Sequence, residues 1–179
     1  MLQGWVEATQ YARPADAPLP RWRRADQRHI TLCFIGYQVD AGETERARRA
    51  LGSVGERIPP HAIRIERLAH WRGRRSMPVV ALPTASPELQ ALCDACRDAL
   101  TRAGIRPAQA TTTPHVTLGY FDGGTPLQHW MGDVRHPAGE LAIERFDLLF
   151  NPGGRYESLA TWPLTGSALP HVPEQGSLL

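Results

Sequence analysis

A chain of 179 residues, 42% hydrophobic and 21% charged, has the make-up of an ordinary soluble protein with room for one substantial domain. No stretch approaches the roughly 18 apolar residues of a membrane span and no basic segment with a long apolar run opens the chain, so a cytoplasmic protein without membrane attachment is expected. The formal net charge of +2 argues against a DNA-wrapping surface, although all 20 basic side chains are arginine, the residue suited to bidentate phosphate contacts.

In chain order, Leu2, Trp5, Val6 and Tyr11 recur near helical spacing, and Pro14, Pro18 and Pro20 end the pattern. A strand is expected over His29 to Tyr37, with Ile30, Leu32 and Phe34 on one face and His29, Thr31, Cys33 and Ile35 on the other, and Gly36 as punctuation. Glu43 to Arg57 reads as a helix with Leu51, Val54 and Ile58 as its stripe, closed by Pro59-Pro60. Ala62 to Leu68 and Pro78 to Leu82 read as a hairpin around the Arg-rich turn Trp71 to Met77.

Ser86 as N-cap, Pro87 in the first turn, the stripe Leu89, Leu92, Cys96, Leu100 and Ala103, and the stop at Gly104 define the clearest helix. His115 to Phe121 is again a strand, ended by Asp122-Gly123-Gly124. Leu141 to Phe150 and Tyr156 to Leu164 follow as two strands about the loop Asn151-Pro152-Gly153-Gly154. A single domain over 1–165 and a loose tail over 166–179 are expected, and the protein is expected to be a monomer. The odd count of three cysteines argues against a disulfide framework, and Cys93-x-x-Cys96, mid-helix and without a second pair, reads as structural.

His29-Ile-Thr-Leu-Cys-Phe-Ile and His115-Val-Thr-Leu-Gly-Tyr-Phe match in His, Thr and Leu. Ala62-Ile-Arg-Ile-Glu-Arg-Leu echoes Leu141-Ala-Ile-Glu-Arg-Phe-Asp, and each leads through a turn into another strand. A duplicated unit is the simplest account. In a strand, residues i and i+2 share a face, so His29 stands with Thr31 and His115 with Thr117. If the halves pack about a pseudo-twofold axis, two imidazoles face each other with a hydroxyl beside each.

That set suits a phosphodiester. With an unperturbed pKa of about 6.5, one imidazole can act as base and the other as acid near neutrality, and the threonines can hydrogen-bond the non-bridging oxygens. Neither a metal nor a cofactor is required. Two His and two Thr lack the carboxylate or thiolate usual at zinc, and His61, His70, His129, His136 and His171 show no zinc-binding spacing. Neither G-x-S-x-G nor G-x-x-x-x-G-K occurs.

On these residues, with Thr113-Pro-His-Val-Thr-Leu and Phe146-Asp-Leu-Leu-Phe…Gly153-Gly-Arg-Tyr-Glu-Ser-Leu-Ala, the chain over Arg21 to Leu164 resembles the 2H phosphoesterase superfamily and, within it, the RNA 2′,3′-cyclic phosphodiesterases, or 2′-5′ RNA ligase-like proteins. The resemblance implies a bilobal α+β fold, two antiparallel sheets with outer helices about a central groove. It implies metal-independent opening of a 2′,3′-cyclic phosphate at an RNA end or small nucleotide to leave a 2′-phosphomonoester, with His29 as acid, His115 as base, and Thr31 and Thr117 on the phosphate. The alternatives are a nucleotide- or RNA-end-binding module with little catalysis, a 2′-5′ RNA ligase, and a phosphodiesterase for another small cyclic phosphate.

The chain departs from relatives in two ways. They often begin with an apolar strand before the first helix, so a strand beside the first motif is expected to be missing. They also often carry basic residues where this chain has Thr113 and Tyr120. Arg72, Arg74, Arg75 and Arg155 are the candidates to supply that charge, and Phe34, Trp71 and Tyr120 a surface on which a base stacks.

Overall fold

The computed structural model describes residues 2–71, 76–110, 113–122, 131, 134–135 and 139–167. Its largest element is a five-stranded antiparallel sheet in the order β1 (Arg21–Trp22), β6 (Val116–Asp122), β4 (Ser76–Pro83), β3 (His61–His70), β7 (Glu140–Ile143). Two smaller antiparallel pairs are β2 (Cys33–Phe34) with β5 (Gln109–Ala110), and β8 (Arg145–Phe150) with β9 (Glu157–Pro163). The fold is therefore α+β, with helices packed outside the sheets.

Two apolar clusters hold these layers. In one, helix α1 (Leu2–Ala12) drives Trp5 and Val6 against Leu68, Val79, Leu118 and Phe121 of the large sheet. In the other, α2 (Ala41–Leu51) and α3 (Pro87–Arg102) pack Leu51, Leu92, Cys96 and Leu100 against Phe146 and Leu148. Each buried leucine contributes about 1.5–3 kcal/mol relative to an exposed one, so the apolar stripe is what keeps α3 in place. Its ends are set as the sequence indicates: Ser86 Oγ accepts from the Leu89 amide at 3.1 Å, and Gly104, at φ +75°, takes the left-handed conformation beyond the last turn. Burial pushes the Cys93 and Cys96 thiols up to about 11 and about 12, which fits inert, structural cysteines.

Three elements differ from the sequence reading, two of them because the chain changes sheets. Only Cys33–Phe34 of the expected His29–Tyr37 strand is a ladder, and Ile30 makes one isolated bridge to Val116. Ile30 packs on the α1 cluster whereas Leu32, Cys33 and Ile35 all pack on the α2–α3 cluster, so strict alternation breaks at the crossing. The expected strand Leu141 to Phe150 is likewise two strands split at Glu144: β7 pairs with β3, and β8 with β9. The expected helix Glu43 to Arg57 ends at Leu51 before Gly52, and a 3₁₀ turn, Gly55–Arg57, continues the stripe. At the C-terminal end Gly166 still donates to the Ile58 carbonyl, so the chain remains tied one residue into the expected tail; 168–179 lie outside the described residues.

The hairpins are exchanged between the halves. The β3–β4 hairpin, which follows the first motif in sequence, lies beside the second motif strand through β4–β6 pairing. The hairpin that follows the second motif shares its core with Leu32, Cys33 and Ile35 of the first. Among the described residues β2 is paired on one edge only, by β5, and β8 on one edge only, by β9. Both strands border a single cavity.

Two local features of β6 decide what faces that cavity. Val79 pairs with Gly119 but Val80 with Thr117, so β6 carries one extra residue at Leu118. This bulge shifts the alternation by one and brings Tyr120 onto the face of Thr117, three residues away. Gly119 in turn admits β1: a Cβ there would stand 2.8 Å from the Arg21 carbonyl oxygen and 3.1 Å from Trp22 Cα. We expect Gly119→Ala to cost about 1–3 kcal/mol, the usual range for overpacking, by urea unfolding. It should also raise amide exchange at Arg23, whose N–H donates to the Leu118 carbonyl at 2.7 Å.

Candidate active site

His29, Thr31, His115 and Thr117 all line one cavity of about 1430 Å³. They arrive from different elements, His29 and Thr31 from the segment leading into β2, and His115 and Thr117 from the start of β6. The bridge between Ile30 and Val116 ties the two segments side by side at the residues between these polar pairs. Antiparallel pairing at that point brings the two motifs to a common opening.

The two imidazoles are held in the same way. His29 Nδ1 lies 3.2 Å from the Gln27 carbonyl oxygen and His115 Nδ1 lies 2.8 Å from that of Thr113, in each case two residues upstream. A carbonyl only accepts, so Nδ1 carries the proton and Nε2 is left with the lone pair in the neutral ring. Each ring also meets an aromatic edge. Tyr156 stands 4.3 Å from His29 at 69°, and Trp71 stands 4.5 Å from His115 at 75°. Gln27 serves twice: its side-chain oxygen accepts from the Tyr156 amide at 2.7 Å, so one residue fixes both His29 and the aromatic beside it.

His29 is held below the ordinary imidazole value. Desolvation by burial is the main cause, and the positive charges of Arg23 and His115 add to it, against an opposing contribution from the Gln27 hydrogen bond. The positive charge of His115 thus reaches His29 across the cavity.

Of the other residues singled out in the sequence, Phe34, Trp71 and Tyr120 line the cavity, Phe34 with its ring 4.8 Å from that of Tyr37. Arg155 does not: it is exposed, and its neighbour Tyr156 is the residue that enters the site. Arg72, Arg74 and Arg75 lie outside the described residues. Sequence reasoning missed Gln27, Tyr156 and Arg23. Arg23 Nη2 donates to the Tyr120 hydroxyl at 3.0 Å, and its guanidinium lies 5.2 Å from the Tyr120 ring centroid and 5.7 Å from that of Tyr156. Among the described residues no group of three or more His, Cys, Asp or Glu side chains is placed to hold a metal ion.

Residues 2–155 match the family model described as the 2′-5′ RNA ligase superfamily. The chain belongs to that superfamily, and so to the 2H phosphoesterases. Two solved structures show the same fold. One is Escherichia coli LigT complexed with 3′-AMP, 23% identical, with 91% of this chain and 90% of that one covered and a TM-score of 0.66. The other is TT0787 of Thermus thermophilus, 21% identical, covering 93% and 92%, also with a TM-score of 0.66. No curated protein matches the chain in sequence. No helix among the described residues is long and apolar enough to cross a membrane.

The His29 environment has a measurable consequence. Its ring should titrate below the ordinary value of about 6.5 when followed by NMR. Because Arg23 contributes to the lowering, Arg23→Gln should move the midpoint upward. The folded form then disfavours the His29 proton, so this residue's contribution to stability is present above the unfolded-state pKa and is lost as pH falls through the window between the two values.

Proposed function

We propose that this protein is a metal-independent phosphodiesterase that opens a 2′,3′-cyclic phosphate at an RNA end or on a small nucleotide, leaving a 2′-phosphomonoester. The observation that carries this reading is the pair of imidazoles on one cavity wall, each with Nδ1 engaged by a backbone carbonyl and each followed by a threonine two residues on.

Water attacks phosphorus opposite O3′, a P–O bond to water forms as the P–O3′ bond breaks, and one proton moves at each end. His115, neutral at Nε2, takes the proton from water. His29, protonated at Nε2, gives its proton to the departing O3′. The environment that lowers the His29 pKa makes its protonated form the stronger acid, which suits donation to an alkoxide leaving group near neutral pH. Thr31 and Thr117 hydroxyls donate to the non-bridging oxygens as charge builds on them. Proton balance is closed by exchange between the two rings and solvent, so no metal enters the cycle. The LigT structures with 3′-AMP, NADP+ and ATP support nucleotides as the ligand class for such a cavity.

The roles follow motif position, and leaving-group chemistry tests them. With a nucleoside 2′,3′-cyclic phosphate in EDTA, wild type should release the 2′-phosphate, and His29→Ala and His115→Ala should each lower kcat by about 10²–10⁴-fold. With a p-nitrophenyl phosphodiester, whose leaving group needs no proton, His29→Ala should keep most of the wild-type rate and His115→Ala should not. Equal losses on both substrates would reject the assignment, and an enzyme that needs added metal would reject the mechanism.

A further inference from the structure

The four motif residues offer a phosphodiester hydrogen bonds and protons but no permanent positive charge. We propose that Arg23, which does not itself line the cavity but stands against Tyr120 and Tyr156 of its wall, is the phosphate-binding cation for it, acting together with the Tyr120 hydroxyl. This assignment rests on the reading of the cavity as a phosphodiester site, and it places the cation at a chain position that neither motif contains.

The geometry is built up from the backbone. Gly119 lets β1 run against β6, and the Arg23 amide, just beyond β1, is bonded to the Leu118 carbonyl, so the root of the side chain is fixed beside the second motif strand. The bulge at Leu118 brings Tyr120 onto the cavity face with Thr117. From that root the Arg23 guanidinium lies against both Tyr120 and Tyr156, and one of its N–H groups bonds the Tyr120 oxygen. Having accepted from Arg23, the Tyr120 hydroxyl keeps its own proton to donate, and a guanidinium has five N–H donors, of which this bond uses one. Both groups are therefore held in place with donors to spare for a non-bridging oxygen.

The neighbouring arginines are occupied differently. Arg21 pairs with Asp122 at 2.9 Å and Arg24 with Asp26 at 3.1 Å. Arg28 donates to the Arg23 carbonyl and to Gln3. Among the described residues no carboxylate pairs with Arg23, and its charge is felt by His29. A cation lying against two tyrosines, within electrostatic reach of His29 and unneutralised by a carboxylate, is the expected form of an anion subsite.

Inorganic phosphate is the probe, followed through the His29 and His115 ring signals by NMR, so that binding is read without turnover. Wild type should bind phosphate, and occupancy should raise the His29 titration midpoint by offsetting the Arg23 charge. Arg23→Gln should weaken phosphate binding by about 10–100-fold, the range for a hydrogen bond to a charged group. Arg23→Lys should recover part of the loss. Arg24→Gln, which removes an exposed cation already paired with Asp26, should leave it unchanged. Returning a guanidinium from the other strand, in Arg23→Gln/Tyr120→Arg, should restore affinity. On a nucleoside 2′,3′-cyclic phosphate the Arg23→Gln effect should fall mainly on KM.

A folded Arg23→Gln protein that binds phosphate as wild type does would overturn the assignment, as would a wild-type protein indifferent to millimolar phosphate. If Arg23→Gln fails to fold, the Lys variant carries the test: affinity equal to that of the Arg24→Gln control with the His29 midpoint unmoved by phosphate overturns it. Arg23-dependent phosphate binding in a protein without turnover would leave the anion subsite standing and remove the proposed hydrolysis.

Discussion

A hydrogen bond from imidazole Nδ1 to the carbonyl two residues upstream is the constraint on which the site depends. It fixes the tautomer, the ring plane and the nitrogen left for chemistry, all from residues adjacent in the chain. The same local bond occurs at His61, whose Nδ1 lies 3.0 Å from the Pro59 carbonyl, yet His61 does not border the cavity. The device is thus a property of the backbone entering a strand. At His29 and His115 the Ile30–Val116 bridge sets two such strand entries side by side on the cavity. A long-range contact between two apolar residues brings together two polar groups that could not find each other locally.

Burial works against this arrangement, and the surroundings of His29 show how it is contained. Enclosing an imidazole disfavours its charged form, as does the nearby Arg23, while the Gln27 carbonyl favours it. Gln27 also anchors Tyr156, so the ring that encloses His29 and the carbonyl that offsets the enclosure are tied through one residue. This coupling links the 3₁₀ turn Ala25–Gln27 to the segment entering β9, across 129 positions of sequence. His115 is built from more local parts: Trp71 sits at the end of β3, with its amide bonded to the Pro78 carbonyl of β4, the strand paired with β6.

How much of this could be read from sequence follows from the range of the forces involved. Helix α3 was legible to its ends, since capping by Ser86, the Leu89–Leu100 stripe and the Gly104 stop are local and mutually consistent. The β3–β4 hairpin and the pairing of His with Thr on shared faces were legible for the same reason. The strand splits at Thr31–Leu32 and at Glu144 were not, because an apolar run reads alike whether it stays in one sheet or crosses between two. Arg23 was hidden in the run Arg21-Trp-Arg-Arg, where nothing local separates the residue over two tyrosines from its paired neighbours. Tyr120 was read as a stacking surface, but its position beside Thr117 depends on a bulge visible only in the pairing register with β4.

The cavity itself shows how the two lobes are matched and where they differ. The lobe that holds the second motif is closed by a five-stranded sheet in which β6 is paired on both sides, by β1 and β4. The lobe that holds the first motif has its strands in two separate pairs, and the cavity extends between them to Leu51, Leu92, Cys96 and Leu100, side chains of the helical core. Residues of β2 and β8, each paired on one edge only among the described residues, therefore border the same space as apolar side chains. Thr31 precedes β2 on the less supported side, whereas Thr117 lies within the paired β6 ladder. Besides the short β2–β5 ladder and the packing of Leu32, Cys33 and Ile35, the first motif is held by the Ile30 bridge, the Nδ1 bond and the Gln27–Tyr156 tie. The long-range Gln27–Tyr156 bond thus braces the surroundings of His29, while the other long-range bond of the site, Arg23 to Tyr120, braces the β6 side.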